Sequence, residues 1–243
     1  MIISIYTFTM GRETYLSRLL DSVVREADCL LKVNPNATIE HKIVTQGIQN
    51  LDTLAAVKTM VDGIGDNTPN YKASVVEFEA NLGIAEGMNK ILPTLKGDLI
   101  IKMDDDCLII STDFFQRVLD VHKLKPNAVF SPYPVGLINN PGGVPSKSHE
   151  VVKGEYFDTY YTLRGVGHIG GFCRVSPGNT KDWTFAPDLL PGISGNEDGQ
   201  HSTKARQAGM HMYYLENAIV VEHQESTLGQ HQRYGEDYFK GRF

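Results

Sequence analysis

Three places in the sequence carry side chains able to do chemistry. Asp104-Asp105-Asp106 follows the apolar run Leu99-Ile100-Ile101-Lys102-Met103. Three adjacent carboxylates repel one another, and a divalent cation relieves that repulsion. On an extended chain Asp104 and Asp106 point to the same side. Mg²⁺ or Mn²⁺ takes one or two such carboxylates, with phosphate oxygens and water completing the shell. A solvated acidic turn has the same sequence, and the triplet alone does not separate the two readings. Gly195-Asn196-Glu197-Asp198-Gly199-Gln200 places two acids at the start of a helical stretch. The helix dipole is a sufficient reason for them; equally, one of them could take the proton of an attacking hydroxyl as a general base. His223 closes Ile219-Val220-Val221-Glu222. It is either a polar residue at a strand end or a metal ligand, and the second role needs a metal nearby.

The elements that must position these groups follow from periodicity. Residues 2–8 read as a strand ending at Met10-Gly11. Within Glu13–Lys32, Leu16, Leu19, Leu20, Val23, Val24, Ala27 and Leu30 recur at helical spacing. A short strand is expected around His41–Thr45, a helix over Leu51–Val61 closed by Gly63, a strand over Ser74–Phe78 and a helix over Ile84–Leu95. Asp98–Met103 has the pattern of a buried strand. Strands alternating with helices imply parallel pairing through right-handed crossovers, with ligands beyond the carboxyl ends of the strands, where the acidic triplet sits. Further on, the sequence predicts a helix over Asp113–His122, strands over Ala128–Tyr133 and His168–Val175, a helix over Asp198–Gly209 and a strand over Ala218–Val221. Asn139-Asn140-Pro141-Gly142-Gly143-Val144-Pro145-Ser146 resists regular structure; it reads as a lid over a site or as an insertion without a role. The expectation for the whole is one α/β domain over 1–243, with 1–107 as a nucleotide-binding half and 108–243 as an acceptor-binding half with a tail.

Bulk properties narrow the partners. A net charge of −6 argues against a partner held mainly by charge, such as duplex DNA or anionic lipid. No apolar run approaches the roughly 18–20 residues of a membrane span, so no stable membrane insertion is expected. Met1-Ile2-Ile3-Ser4-Ile5-Tyr6 lacks the basic start of a signal peptide and reads as a strand. Cys29, Cys107 and Cys173 are odd in number and lack CxxC spacing, which fits a reducing, cytoplasmic setting.

Order and spacing add a resemblance. Ile3-Ser4-Ile5-Tyr6-Thr7-Phe8-Thr9-Met10-Gly11-Arg12 with Leu19-Leu20-Asp21-Ser22-Val23, Asn81-Leu82-Gly83-Ile84-Ala85 with Asn89-Lys90, the acidic triplet, Glu197-Asp198-Gly199-Gln200 with Ser202, Ala205-Arg206 and Gly209, and His223 occur in sequence. Together they resemble family 2 glycosyltransferases over nearly the full length. The resemblance implies a GT-A fold, in which a mixed, mostly parallel central sheet is flanked by helices. It implies transfer of a sugar from a nucleotide sugar to an acceptor hydroxyl with Mn²⁺ or Mg²⁺ and, by single displacement, inversion. Asp104, Asp106 and His223 would hold the metal, with Asp104 and Asp105 beside the nucleotide. Thr7, Thr9, Arg12, Asn81, Gly83 and Asn89 would border the donor, and Gly170 and Gly171 would leave room for its sugar. Asp198 would be the base, with Glu197 the competing choice.

Two departures stand out. Val44-Thr45-Gln46-Gly47 offers only amides and hydroxyls where the family often has an acid, so Gln46 would read the base and the nucleotide is left open. Phe8 and Gly11 replace the usual Pro and Asn of the first loop. The acceptor is open too, among saccharide, lipid-linked glycan, protein and modified nucleobase, a nucleic-acid acceptor included. Two other readings fit the residues less well. A sugar-nucleotide nucleotidyltransferase resembles this fold but needs a Gly-rich Arg/Lys loop, of which Thr9-Met10-Gly11-Arg12 is a poor version. A non-catalytic carbohydrate-binding relative would not need Asp104, Asp106, Asp198 and His223 intact.

Overall fold

A computed structural model describes residues 1–64, 70–137, 146–187 and 197–225. The stretches 139–145, 195–196 and the tail with Arg233, Lys240 and Arg242, singled out in the sequence, lie outside the described residues.

The amino-terminal half follows the alternating pattern. Strand β1 (Ile2–Thr9) leads to helix α1 (Glu13–Val33), β2 (Thr38–Gln46), α2 (Leu51–Asp62), β3 (Tyr71–Phe78), α3 (Ile84–Ile91) and β4 (Leu99–Met103). Pro93 opens a 3₁₀ turn over Leu92–Thr94, so α3 ends earlier than the expected Leu95. The remaining elements are β5 (Cys107–Ile109), α4 (Phe114–Leu124), β6 (Ala128–Ser131), β7 (Tyr133–Val135), β8 (Ser148–Lys153), β9 (Tyr160–Gly165), β10 (Cys173–Pro177), α5 (Glu197–Gln207), β11 (His211–Leu215) and β12 (Val220–His223).

Among the described residues, nine strands form one sheet in the order β3-β2-β1-β4-β10-β6-β11-β9-β8, and β5-β12-β7 form a smaller one. The β3-β2-β1-β4 block is parallel, and β10 lies antiparallel against both β4 and β6. Parallel strands covered on both faces read as nearly continuous apolar runs. In β1, Ile3, Ile5 and Tyr6 are buried, and β4 is buried at every position. The stripe on α1 closes one face with Leu16, Leu19, Leu20, Val23, Ala27 and Leu30, and each leucine and the valine is worth roughly 1.5–3 kcal/mol relative to exposure. Ala85, Met88 and Ile91 of α3 pack with Tyr6, Phe8 and Ile100 in a second cluster.

The carboxyl-terminal half departs from expectation in three places. Pro132 ends β6, and the chain after it joins the small sheet as β7, where one strand over Ala128–Tyr133 was expected. His168–Phe172 is not strand: the amides of Gly170 and Gly171 donate to side chains instead of a ladder partner. The β8–β9 hairpin and β11 were not expected; Tyr161 and the backbone at Glu155 and Tyr156 anchor that hairpin on Asp120 of α4. Among the described residues, no helix is long and apolar enough to cross a membrane.

Candidate active site

The acidic triplet lies at the carboxyl end of β4, but it is a turn and not an extended segment. The Cys107 amide donates to the Asp104 carbonyl at 3.0 Å, and the Asp104 carboxylate parts from the other two. Asp104 turns to Lys102, whose Nζ lies 2.8 Å from Asp104 Oδ1 and donates also to the Gly171 carbonyl. Asp105 turns inward and is buried. It accepts from Thr9 Oγ1 at 2.8 Å and from the Nε and Nη2 of Arg12. Asp106 meets Arg12 Nη1 at 2.8 Å and His223 Nε2 at 3.3 Å.

The β1–α1 loop is shaped for this meeting. Gly11 has φ +89°, and a Cβ there would sit 2.5 Å from Thr53 Cγ2, so the turn requires glycine. The Gly11 amide donates to Thr9 Oγ1, which fixes the hydroxyl on Asp105, and Arg12 then opens α1 with its guanidinium toward the acids. Opposite, β12 pairs antiparallel with β5, with His223 across from Cys107, and the Gln224 amide donates to the Asp106 carbonyl at 2.9 Å.

Ligand atoms of Asp106, His223 and Glu225 all lie within 4.8 Å of one another. The donor set is carboxylate, imidazole, carboxylate, which suits Mn²⁺ or Mg²⁺. Neighbouring ligands about such an ion, at bond lengths of roughly 2.1 Å, stand roughly 3 Å apart, close to the 3.3 Å between Asp106 Oδ2 and His223 Nε2. His223 Nδ1 lies 3.1 Å from the Glu225 carbonyl, an oxygen that can only accept, so Nδ1 carries hydrogen and Nε2 faces Asp106. Metal-ligating histidines are oriented in this way by a second bond. The residues present therefore fit a divalent cation. The sequence had indicated Asp104, Asp106 and His223 for this role; the structure gathers Asp106 and His223, sends Asp104 to Lys102, and adds Glu225. Glu225 lay in a stretch without a pattern and was not anticipated.

Asp198 occupies the first turn of α5. Its Oδ2 accepts from the Gly171 amide and its Oδ1 from Arg174 Nη1, both at 2.7 Å. Burial pushes its pKa upward, but Arg174, Lys102 and the Gly171 amide outweigh that and hold it below the usual carboxylate range. A Cβ at Gly171 would lie 2.6 Å from Lys102 Nζ and closer still to Asp198 Oδ1, so the backbone approaches these groups only because it is glycine. Lys102 and Arg174 were missed from sequence. The signal available was a single charge inside each of two otherwise uncharged, buried strands, Leu99–Met103 and Cys173–Pro177.

Other residues indicated by the sequence are placed as follows. Thr7 is fully buried, with its hydroxyl 3.0 Å from His41 Nε2, so its side chain serves the core between β1 and β2 and does not border a cleft. Gln46 is buried and its Oε1 accepts from the Leu82 amide at 3.2 Å, bracing the Asn81–Gly83 turn. Asn81 Oδ1 accepts from the Gly83 amide at 3.0 Å, and Gly83 has φ +76°. Asn89 donates to the Phe185 carbonyl and accepts from its amide, at 2.8 and 2.7 Å. Gln200 grips Ala186 in the same two-way manner. Both amides thus hold one segment between α3 and α5. Glu197 is buried, and Gly170 donates to the Tyr214 hydroxyl at 3.0 Å.

No protein-family model and no curated protein matches the sequence. Solved structures do match. TarS 1–349 of S. aureus in complex with UDP-GlcNAc aligns at TM-score 0.60 and 16% identity, over 93% of this chain and 60% of that one. The mannosyltransferase PcManGT from Pyrobaculum calidifontis, in complex with GDP-Man and Mn²⁺, aligns at TM-score 0.64 and 14% identity, over 95% and 59%. GalNAc-T7 with UDP, GalNAc and Mn²⁺ aligns at TM-score 0.64 and 14% identity, over 91% and 43%. The chain has the GT-A fold, and it spans between 43% and 60% of the length of these three proteins.

Proposed function

We propose that the protein is a divalent-metal-dependent glycosyltransferase that moves a sugar from a nucleoside-diphosphate sugar to an acceptor hydroxyl with inversion. One observation carries this reading: Asp106, at the end of β4, and His223 and Glu225, at the end of β12, converge within 4.8 Å where a parallel sheet binds ligands. The ligands named for the structural neighbours, UDP-GlcNAc, GDP-Man and Mn²⁺, support it.

Asp106, His223 and Glu225 would hold the cation, which would supply positive charge against the departing diphosphate. Asp198 takes the proton of the acceptor hydroxyl as it attacks the sugar. Its partners keep it ionised at neutral pH and fix its orientation. The Asp198 side chain is 28% exposed while Glu197 is buried, which favours Asp198 as the base. Arg174 holds Asp198 directly, and Lys102 holds the Gly171 carbonyl beside it. Asp104, on Lys102 and 40% exposed, would face the nucleotide.

The test is a thermal-shift screen of UDP, GDP, ADP and CDP with and without Mn²⁺, followed by donor hydrolysis with the sugar derivative of the best binder. A nucleotide that raises the midpoint only with Mn²⁺, and whose sugar is released, is the expected result. Release of pyrophosphate from a nucleoside triphosphate and a sugar phosphate would overturn it.

A further inference from the structure

Arg12 stands among the same acids that the proposed function gives to a cation. Its Nη1 lies 2.8 Å from Asp106 Oδ2 and 3.9 Å from Glu225 Oε2, while its Nε and Nη2 hold Asp105. Asp106 Oδ2 is also the oxygen that faces His223 Nε2. A single carboxylate oxygen therefore serves a guanidinium in this structure and would have to serve the metal as well. A dication and a guanidinium on one oxygen repel each other strongly in a partly buried site.

The geometry also gives Arg12 another place to go. The side chain is 28% exposed and lies over the Tyr15 ring, 5.4 Å from its centroid. It borders a shallow cleft of about 490 Å³ lined by Gly11, Arg12, Glu13, Thr14 and Tyr15. Nη1 belongs to the same rigid, planar fork as the two nitrogens on Asp105, so it leaves Asp106 only when the whole guanidinium pivots, with Asp105 keeping part of its hold. Phosphate oxygens are strong, charge-assisted acceptors for that nitrogen.

We propose that Arg12 is an exchangeable counter-ion: it neutralises Asp105 and Asp106 in the nucleotide-free protein and passes its Nη1 from Asp106 to the incoming diphosphate, so that cation and nucleotide enter together. This rests on the metal-site reading above. Linkage makes the coupling reciprocal: the factor by which nucleotide tightens the cation equals the factor by which the cation tightens nucleotide.

The experiment titrates Mn²⁺ into the protein by the electron paramagnetic resonance of the free ion, with and without UDP or GDP. It compares the wild type with Arg12→Gln and Arg12→Lys, with circular dichroism confirming the fold. In the wild type the nucleotide should tighten Mn²⁺ by about tenfold or more. Arg12→Gln should bind Mn²⁺ alone about tenfold more tightly than the wild type, because Asp106 is released, and its coupling factor should be smaller. Arg12→Lys, one compact ammonium that cannot span both acids, should fall between and covers the case in which the glutamine variant does not fold. If neither folded variant binds Mn²⁺ alone more tightly than the wild type, the counter-ion role is wrong while the metal site stands. If no form binds Mn²⁺ with any nucleotide, the metal-site reading itself fails.

Discussion

Gly170 and Gly171 are neighbours for which the structure predicts opposite responses to one added methyl group. At Gly171 a Cβ would sit 2.6 Å from Lys102 Nζ and closer to Asp198 Oδ1. Both atoms are the ends of side chains, but neither is free to retreat: Lys102 is bonded to Asp104 and the Gly171 carbonyl, and Asp198 to Arg174 and the Gly171 amide. Relief must come from giving up at least one charged hydrogen bond, at about 1.5–3 kcal/mol. For a chain of this length that lowers the melting midpoint by roughly 3–12 °C. At Gly170 the nearest atoms are the Tyr214 hydroxyl at 3.8 Å and Asp198 Oδ2 at 4.0 Å, which is ordinary contact. Gly170→Ala should therefore stay within about 0.5 kcal/mol of the wild type, as a substitution without a clash does. Urea denaturation of both variants measures this without knowledge of the substrate. Once a donor is found, Gly171→Ala should also lose about a hundredfold in kcat with a smaller change in KM, because the base is displaced by about an ångström. Equal stability of the two variants, or a Gly171→Ala enzyme with wild-type kcat, would refute the arrangement of Lys102, Gly171 and Asp198.

Other expectations follow from single contacts. Arg174→Met removes the leading influence that holds the Asp198 pKa down, so the acid limb of the pH–rate profile should move to higher pH; in the wild type Asp198 is ionised from below its ordinary value upward and adds no limb near neutrality. His41, buried between Thr7 and Tyr71, has its pKa lowered to about 3 by burial. The unfolded chain binds that proton between roughly pH 6.5 and 3 and the folded chain does not, so stability should fall by about 1.4 kcal/mol per unit as pH drops through this window. His41→Gln should reduce the slope, as denaturation at pH 7 and pH 5 would reveal. Gly154→Ala would drive a methyl group into the Asp120 carboxylate that anchors the β8–β9 hairpin, and a loss of about 1–3 kcal/mol is expected by denaturation.

The sequence was most legible where one periodicity ran without interruption. The α1 stripe and the apolar β1 and β4 could be read directly because each buries a continuous face, and β4 delivered Asp104–Asp106 to the correct end of the sheet. The pairing of Asp106 with Asp105 on Arg12, away from Asp104, was not readable, because alternation of side chains holds only for an extended chain and these residues turn. Ser148–Lys153 escaped notice because it is an edge strand, polar and largely exposed. His168–Phe172 looked like a strand, yet its glycine amides serve Asp198 and Tyr214, a pairing between stretches distant in sequence. Lys102 and Arg174 are single charges inside buried strands, a conflict with burial that was visible in the sequence, but their partners Asp104 and Asp198 were not. Thr7 and Gln46 lie toward the carboxyl ends of β1 and β2, but their side chains are taken up by His41 and the Leu82 amide.

The most direct test is a crystal of the protein grown with Mn²⁺ and the best-binding nucleoside diphosphate, with diffraction recorded on both sides of the manganese absorption edge. An anomalous peak bounded by Asp106, His223 and Glu225, in contact with the diphosphate, is the predicted result. Bound nucleotide with no manganese between those three side chains, or manganese held elsewhere, would contradict it.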